Sequence, residues 1–381
     1  MTYLCKSNTI QMKKNKRIIV SVTNDLVVDQ RVHKICTTLK QNGYEPVLVG
    51  RKHRGSLPVH REYRTVRMRL LFRRSFWFYA EYNFRLLLFL LFTSTDIFLS
   101  NDTDTLIANY LASKIRRKPL IFDAHEMFPE VPELSNRPFI KRFWIAIENW
   151  IFPHLKKSYT VCQSIAEIYN QRYSMDMKVV RNIPFAQNKP FAFENPPIQA
   201  QGKKILLYQG AVNIGRGIEW VMDAMPYLEN FVFYVVGDGD ILEELKAKAI
   251  SQHLEERVIF TGRVPFEQLP AYTACADIGI NLLENKGLNY YYSLPNRIFD
   301  FIRAEIPVLS VDFPEIRRIV SRYNIGRLTD NFDPQTLVEI IRKMAIEPKN
   351  TAGFAQANSE LTWENEVKNL LDFVMKIYQL V

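Results

Sequence analysis

Two kinds of hydrophobic pattern alternate along this chain: short runs of β-branched and aromatic residues, and stretches with an apolar residue every three or four positions. Arg17 to Val22 is the first run. From Asp29 to Gln41, Val32, Ile35, Cys36 and Leu39 share one face of a predicted helix, and Pro46 to Val49 reads as a second strand. Gly43, just past that helix, suits a left-handed cap. Strands at Ile97 to Leu99, Leu120 to Phe122 and Tyr159 to Val161 continue the series, and Ser164 with Glu167 predicts a capping box on the helix that follows.

The periodicity disappears between Ile183 and Lys203, where Pro184, Pro190, Pro196 and Pro197 gather. It restarts with strands at Lys204 to Tyr208, Phe231 to Val236, Val258 to Phe260 and Asp277 to Leu282, and helices at Gly217 to Leu228 and Ile241 to Gln252. Leu294 to Asp300 reads as a turn and a short helix, and the next strand holds Ile306 to Leu309. Two βα series predict an α/β protein with two Rossmann-like doubly wound domains facing across a cleft. The expected organisation is a flexible N-terminus over 1–16, a first domain over 17–183, a linker over 184–203 and a second domain over 204–360. A final helix within 361–381, about Trp363 to Leu380, is expected to pack back on the first domain.

At 47% hydrophobic and 24% charged, the 381 residues have the composition of a soluble globular protein, which excludes fibrous and disordered classes. The net charge of +10 favours an anionic partner. Much of the excess lies in Arg51, Lys52, Arg54, Arg61, Arg64, Arg67, Arg69, Arg73 and Arg74, opposed only by Glu62. No nucleic-acid recognition motif accompanies this charge, so a nucleic-acid partner is not expected. Cys5, Cys36, Cys162 and Cys275 form no CxxC pair, which predicts neither a disulfide framework nor a zinc site and suits a cytoplasmic setting. Met1 to Lys16 lacks the apolar core of a signal peptide, and the run Leu86 to Phe92 falls short of the roughly 20 apolar residues a membrane span needs.

Candidate chemistry gathers at predicted strand ends. Gln209 to Gly217 leaves a strand and opens a helix, so Gly210 lets backbone approach a phosphate and Arg216 can bind it bidentately. Gly237 and Gly239 end the next strand, and Gly262 with Arg263 a later one. Asn296 reads as a helix N-cap whose N–H groups, with those of Arg297, face a diphosphate, and Asp300, one turn on, can accept hydrogen bonds from both hydroxyls of a ribose. Asp300 also fits as a surface acid favouring the helix dipole. Asp123, His125 and Glu126 follow an apolar strand and are placed for hydrogen bonding or proton transfer, although a lone histidine is often structural. Asn24, Asp25, Asp29 and Arg31 sit similarly after the first strand, with helix capping an equal role for Asp29. The stretch Arg64 to Phe92 reads either as an interfacial element at an anionic membrane surface or as a core helix with a solvated basic face.

The segments Tyr208-Gln209-Gly210, Arg216-Gly217, Val236 to Gly239, Phe260 to Pro265 and Leu294 to Asp300 resemble the donor domain of retaining glycosyltransferases of family 4, with the GT-B fold. Asp29 to Lys34, Asp123 to Glu126 and Val180 to Pro184 extend the resemblance over most of the chain. It implies retaining transfer of a sugar from a nucleotide diphosphate sugar to a saccharide or lipid-linked acceptor in surface polysaccharide assembly. It implies no bound metal and no cofactor beyond the donor substrate. With the interfacial reading of Arg64 to Phe92, the expected location is cytoplasmic, peripheral at the inner face of the membrane. Arg216 falls at the family's diphosphate-binding cation, Arg263 and Val264 near its base-binding loop, Asp300 at its ribose-binding glutamate, and His125 beside the donor sugar. Asp25 to Arg31 occupies the acceptor-side loop, and Glu126 is the remaining catalytic candidate. The chain departs from the pattern at Tyr292, where the family has a glutamate, and at Ala211, where it has an arginine; Glu284 and Asn289 are both candidates to contact the sugar hydroxyls. Two alternatives fit the same fold, a nucleotide-sugar 2-epimerase and a non-catalytic nucleotide-binding scaffold.

Overall fold

The computed structural model describes residues 16–27, 29–131, 134, 136–186, 197–200 and 202–378. The expected flexible N-terminus lies outside the described residues except for Lys16, as does Cys5, and most of the linker stretch does too. The chain opens with β1 (Lys16–Asp25), α1 (Gln30–Gln41), β2 (Tyr44–Arg51), β3 (Arg64–Met68), α2 (Ser75–Phe92), β4 (Ile97–Asn101), α3 (Thr103–Arg116) and β5 (Leu120–Ala124). Then come α4 (Pro138–Ile151), β6 (Ser158–Thr160), α5 (Gln163–Tyr173) and β7 (Lys178–Val179). The first sheet has the order β3-β2-β1-β4-β5-β6-β7, and each strand pairing with a described register is parallel.

The second series runs β8 (Lys204–Gln209), α6 (Ile218–Ala224), β9 (Phe231–Val236), α7 (Leu242–Ser251), β10 (Val258–Gly262), α8 (Leu269–Ala274) and β11 (Ile278–Asn281). It continues with α9 (Leu288–Tyr291), α10 (Asn296–Arg303), β12 (Val308–Val311), α11 (Pro314–Tyr323), β13 (Gly326–Thr329), α12 (Pro334–Ile346), α13 (Thr351–Glu360) and α14 (Trp363–Tyr378). Its sheet has the order β10-β9-β8-β11-β12-β13. Both sheets therefore reverse direction beside their first strand, and open parallel sheets bind ligands outside the carboxyl ends at that point.

The contacts divide the chain into two units, residues 1–123 with 147–158 and residues 124–146 with 159–381. In the second unit, Leu206 and Tyr208 pack into one apolar layer with Val221, Leu245 and Ile341, while Ile205 and Leu207 face another with Phe301 and Ile316. This period of two buries both faces of β8, as a central parallel strand requires. Gly279 in β11 has a specific use: a Cβ there would lie 2.6 Å from the Phe301 ring, so its absence lets α10 close on the sheet and sets where Arg297 and Asp300 stand. In the same unit Glu366 of α14 binds Arg181 at 2.6 Å, and Phe373 packs edge-on against Tyr159.

Local expectations fared unevenly. Gly43 is left-handed at φ +80°, as expected. The capping box does not form: α5 starts at Gln163, and the Ser164 N–H and hydroxyl donate to Glu315 Oε1 at 2.8 and 2.6 Å, while Glu167 accepts from Gln163. Asn296 is not an N-cap either. Pro295 holds that position with no side-chain cap, and the Asn296 amide oxygen accepts from Asn182 at 3.1 Å. The reading of a helix with a basic face fails, because α2 carries only Arg85 as a cation and the arginines before it lie in β3 and the loop that follows. No helix among the described residues is long and apolar enough to cross a membrane. Cys36, Cys162 and Cys275 are free thiols, and burial pushes the Cys162 thiol up to about 12.

Candidate functional site

In the second unit the strand ends at the reversal point are laced together by backbone. The Gly210 N–H donates to Val236 O at 2.9 Å, Gly237 N–H to Gly262 O at 3.0 Å, and Val212 N–H to Asp238 O at 3.0 Å. Asn213 Oδ1 accepts the Asp240 N–H at 3.2 Å. A Cβ on Gly239 would lie 2.3 Å from that same oxygen, so glycine is needed for the two loops to meet. Together Gly210, Gly237, Gly239, Arg263 and Val264 line an open pocket of about 610 Å³, with Leu269 on its wall. Five of the donor-binding residues expected from sequence thus share one concavity.

Asp300 is held by a short polar chain. Thr273 Oγ1 donates to Gln209 Oε1 at 2.8 Å, and Gln209 Nε2 donates to Asp300 Oδ2 at 2.8 Å. One carboxylate oxygen is therefore fixed by β8. Arg297, on the first turn of α10, is 8% exposed and its guanidinium lies 4.3 Å over the Tyr208 ring. Its Nη1 is buried with no hydrogen-bond partner, and Nη2 sits 3.3 Å from where a Gly210 Cβ would be. A buried cation with unfilled donors, at a helix N-terminus and against a glycine, is built to meet an anion.

Arg216 is half-buried, 4.8 Å over the Tyr290 ring, with Nε also buried and without a partner. The loop after β11 packs on this turn: Glu284 N–H donates to Gly215 O at 2.9 Å, and Lys286 pairs with Glu284 at 3.1 Å. The Lys286 side chain lies 3.1 Å from a Cβ built on Gly215. Sequence reasoning missed this lysine. The available signal was its place at the carboxyl end of β11, the strand beyond the reversal point, next to Gly287. Thr273 lay outside every motif, and Gln209, although within Tyr208-Gln209-Gly210, carried no sign that it would hold Asp300.

His125 and Glu126 follow β5 and are half-buried. Asn289, on α9, donates from Nδ2 to Glu126 Oε2 at 3.1 Å and accepts the Met127 N–H at 3.1 Å. One of the two residues singled out as sugar contacts therefore orients the acid singled out as catalytic, while the Tyr292 ring packs edge-on against Tyr291 and its carbonyl accepts from the Cys162 thiol at 3.3 Å. Glu284, the other, faces Lys286.

In the first unit, Asp29 caps α1 by accepting the Val32 N–H at 3.0 Å and the Asn24 amide at 3.1 Å. Arg31 is buried and binds Asp123 through two nitrogens at 2.8 and 3.2 Å. Asp25 accepts from the Ser56 hydroxyl, the Val27 N–H and Arg67 at 3.0 Å. Burial alone would raise its pKa, but the Ser56 hydrogen bond, the Val27 N–H and Arg67 outweigh it and hold the carboxyl below the usual range. A carboxylate depressed on folding contributes stability that is present above its unfolded pKa, near 3.9, and is lost as pH falls through the folded value. Urea unfolding of wild type and Asp25→Asn should therefore differ most at neutral pH and converge in acid. A constant difference down to about pH 2 would refute the role.

Among the described residues no group of three or more His, Cys, Asp and Glu side chains is placed to hold a metal. What the second unit offers is a glycine-walled pocket, a fixed carboxylate and three cations. Residues 203–347 match the family model described as Glycosyl transferases group 1, and residues 28–184 that of Glycosyltransferase Family 4. The chain is a group 1, family 4 glycosyltransferase.

The fold is GT-B. Sucrose-phosphate synthase from Thermosynechococcus elongatus superposes with a TM-score of 0.78 at 16% identity, covering 97% of this chain and 100% of that one. The Anabaena protein HepE, solved with UDP and glucose, gives 0.73 at 15% identity over 95% and 100%. By sequence, this glycosyltransferase is 25% identical over 251 residues to the chitobiosyldiphosphodolichol beta-mannosyltransferase of Candida albicans, 58% of this chain and 53% of that one. It is 27% identical over 133 residues to the alpha-monoglucosyldiacylglycerol synthase of Streptococcus pneumoniae, 33% of this chain and 28% of that one. The chain thus spans about half or less of the length of these relatives. Membership of a transferase family replaces the epimerase and scaffold alternatives.

Proposed function

We propose that this glycosyltransferase moves a sugar, with retention of anomeric configuration, from a nucleoside diphosphate sugar to a lipid-linked saccharide in surface polysaccharide assembly, as a peripheral protein on the cytoplasmic face of a membrane. The observation that carries the donor half is the buried, unfilled guanidinium of Arg297 beside Gly210, with Asp300 fixed one turn further on. The acceptor half is supported by the relatives, whose names place a diphosphodolichol-linked saccharide and a glucosylated diacylglycerol in their reactions.

As the bond from the anomeric carbon to the phosphate oxygen breaks, its electron pair leaves with the diphosphate. Arg216, Lys286, Arg297 and the first N–H groups of α10 meet that growing charge, and groups already in place at the start need no reorganisation. Asp300 accepts from the ribose hydroxyls. Asn289 holds Glu126 in place beside the sugar, and His125 borders the same ring. The acceptor oxygen forms the new bond on the face that the diphosphate leaves, and its proton passes to the departing phosphate oxygen. Retention on this account needs no covalent intermediate.

Thermal unfolding with UDP, GDP and ADP tests the donor half. A ligand of the folded state at a hundred times its Kd stabilises by about 2.7 kcal/mol, so one nucleotide should raise Tm, and Arg216→Ala and Asp300→Ala should each remove the shift. No shift with any nucleotide, or an undiminished shift in both variants, would refute the assignment.

A further inference from the structure

The strongest structural feature outside the donor site lies in the first unit, where β2 and β3 end side by side. Arg51, Lys52, Arg54, Arg69 and Arg73 line an open pocket of about 560 Å³ there, with Leu71, Phe72 and Phe78. None of these five cations pairs with a carboxylate among the described residues. The nearby acids are already met. Asp25 is held by Arg67 and Ser56, and Glu81 accepts the Leu71 and Phe72 N–H groups at 2.9 Å while pairing with Arg85 at 2.8 Å. Glu81 thereby fixes the loop that walls the pocket without neutralising it. Arg51 lies 4.6 Å over the Phe78 ring, and its Nε is buried with no partner.

Beside this pocket, α2 is apolar on two opposite faces. Phe78, Tyr82, Leu86 and Leu90 are buried against the sheet. Trp77, Phe84, Leu88 and Phe92, at spacings of seven and four, form a second stripe that is exposed, with Phe92 85% exposed, and Leu71, Phe72 and Phe76 continue it at the pocket. An exposed apolar stripe of this size marks an interaction surface rather than ordinary surface scatter. Its only charged neighbours on the helix are Glu81 and Arg85, which pair with each other.

We propose that this pocket binds the phosphate of an anionic membrane lipid while the outer stripe of α2 enters the interfacial layer of the bilayer. The inference deepens the membrane part of the function proposed above. A bilayer is the one partner that supplies a dense anionic plane and an apolar layer directly beneath it, which matches unpaired cations placed next to large exposed aromatics. A protein partner would need acids aligned with one pocket and an apolar ridge aligned with one stripe, and nothing in the charge pattern asks for that register.

Cosedimentation of the full chain with vesicles tests this. Wild type should bind vesicles of phosphatidylcholine mixed with phosphatidylglycerol, more weakly at high salt, and should not bind phosphatidylcholine alone. Arg54→Gln/Arg69→Gln/Arg73→Gln should weaken binding by about a hundredfold, since each basic residue near an anionic surface contributes several-fold. Trp77→Ser/Phe84→Ser should also weaken it, and both variants should keep the nucleotide Tm shift, because all five positions belong to the first unit. If the charge variant binds as wild type, the pocket assignment falls and a general membrane affinity stands. If wild type binds no vesicle, the membrane reading falls with it, while a retained nucleotide shift leaves glycosyl transfer intact. If the Trp77/Phe84 variant binds as wild type while glycerol phosphate displaces the protein, the site takes free phosphate and the lipid proposal is wrong.

Discussion

Replacing Arg297 by alanine should lower kcat/KM by about a hundred- to a thousandfold, the usual loss when one fixed group facing transition-state charge is removed. The guanidinium stacks on Tyr208 at 4.3 Å and is almost enclosed, yet Nη1 has no hydrogen-bond partner. Keeping a cation that way is costly unless an anion completes its shell. Stability without nucleotide should accordingly fall little, since alanine removes an unsatisfied charge along with the stacking contact. Arg297→Lys should sit between the two, because an ammonium keeps the charge but loses the planar stack and the paired donors. Steady-state kinetics and thermal unfolding of the three proteins decide it. Unchanged kcat/KM in Arg297→Ala, or a loss explained wholly by unfolding, would remove Arg297 from the donor site.

The alternation of strands and helices was legible because each strand buried on both faces reads as an apolar run, and each helix above it shows one apolar face. The glycine-ended strands were legible for a related reason: a Cβ on Gly237 or Gly239 would run into backbone, and Gly210 has φ +130°. Other features depended on distant partners. Ser164 lost its local partner to Glu315, 151 residues away, whose carboxylate meets both the backbone N–H and the hydroxyl. Arg31 and Asp123 are 92 residues apart, and nothing local to either names the other. β3 escaped notice because it is an edge strand of arginines and half-buried residues, with no apolar run to mark it. Helix α2 hid its direction through being apolar on both faces, so no single face stood out. Lys286 follows β11 in a loop with no periodic signal at all, and Asn289, singled out as a sugar contact, gave no sign that it would bind Glu126.

That division bears on the site. Residues that need a special backbone leave a mark in the sequence, whereas residues that hold a neighbour in place do not. Asp300 could be singled out from its position one turn into α10, but the Thr273 and Gln209 side chains that fix its orientation could not. Glu126 could be placed at the end of β5, but its alignment by Asn289 comes from a contact across 163 residues.

Gly237→Ala should be the most damaging substitution of a single small group. A Cβ there would lie 1.8 Å from Gly210 O, and φ is +154°, a region that L side chains rarely adopt. Neither side can yield cheaply. Gly210 is bonded to Val236 O at 2.9 Å and Gly237 to Gly262 O at 3.0 Å, so relief of the clash must part β8 from β9 at the pocket rim. Overpacking of a tight contact and a disfavoured backbone region together suggest a loss of about 3 kcal/mol or more. Gly262→Ala is the matched comparison: φ is +70° but nothing lies within 4 Å of the added carbon, so it should cost only about 1–2 kcal/mol. Urea unfolding of both variants separates the clash from the backbone term, and nucleotide binding reports the rim. Gly237→Ala should lose both stability and the nucleotide Tm shift, while Gly262→Ala keeps the shift. Equal losses in the two would mean that the close approach of Gly237 to Gly210 contributes nothing beyond its dihedral angle, and the wall of the pocket would have to be rebuilt on other contacts.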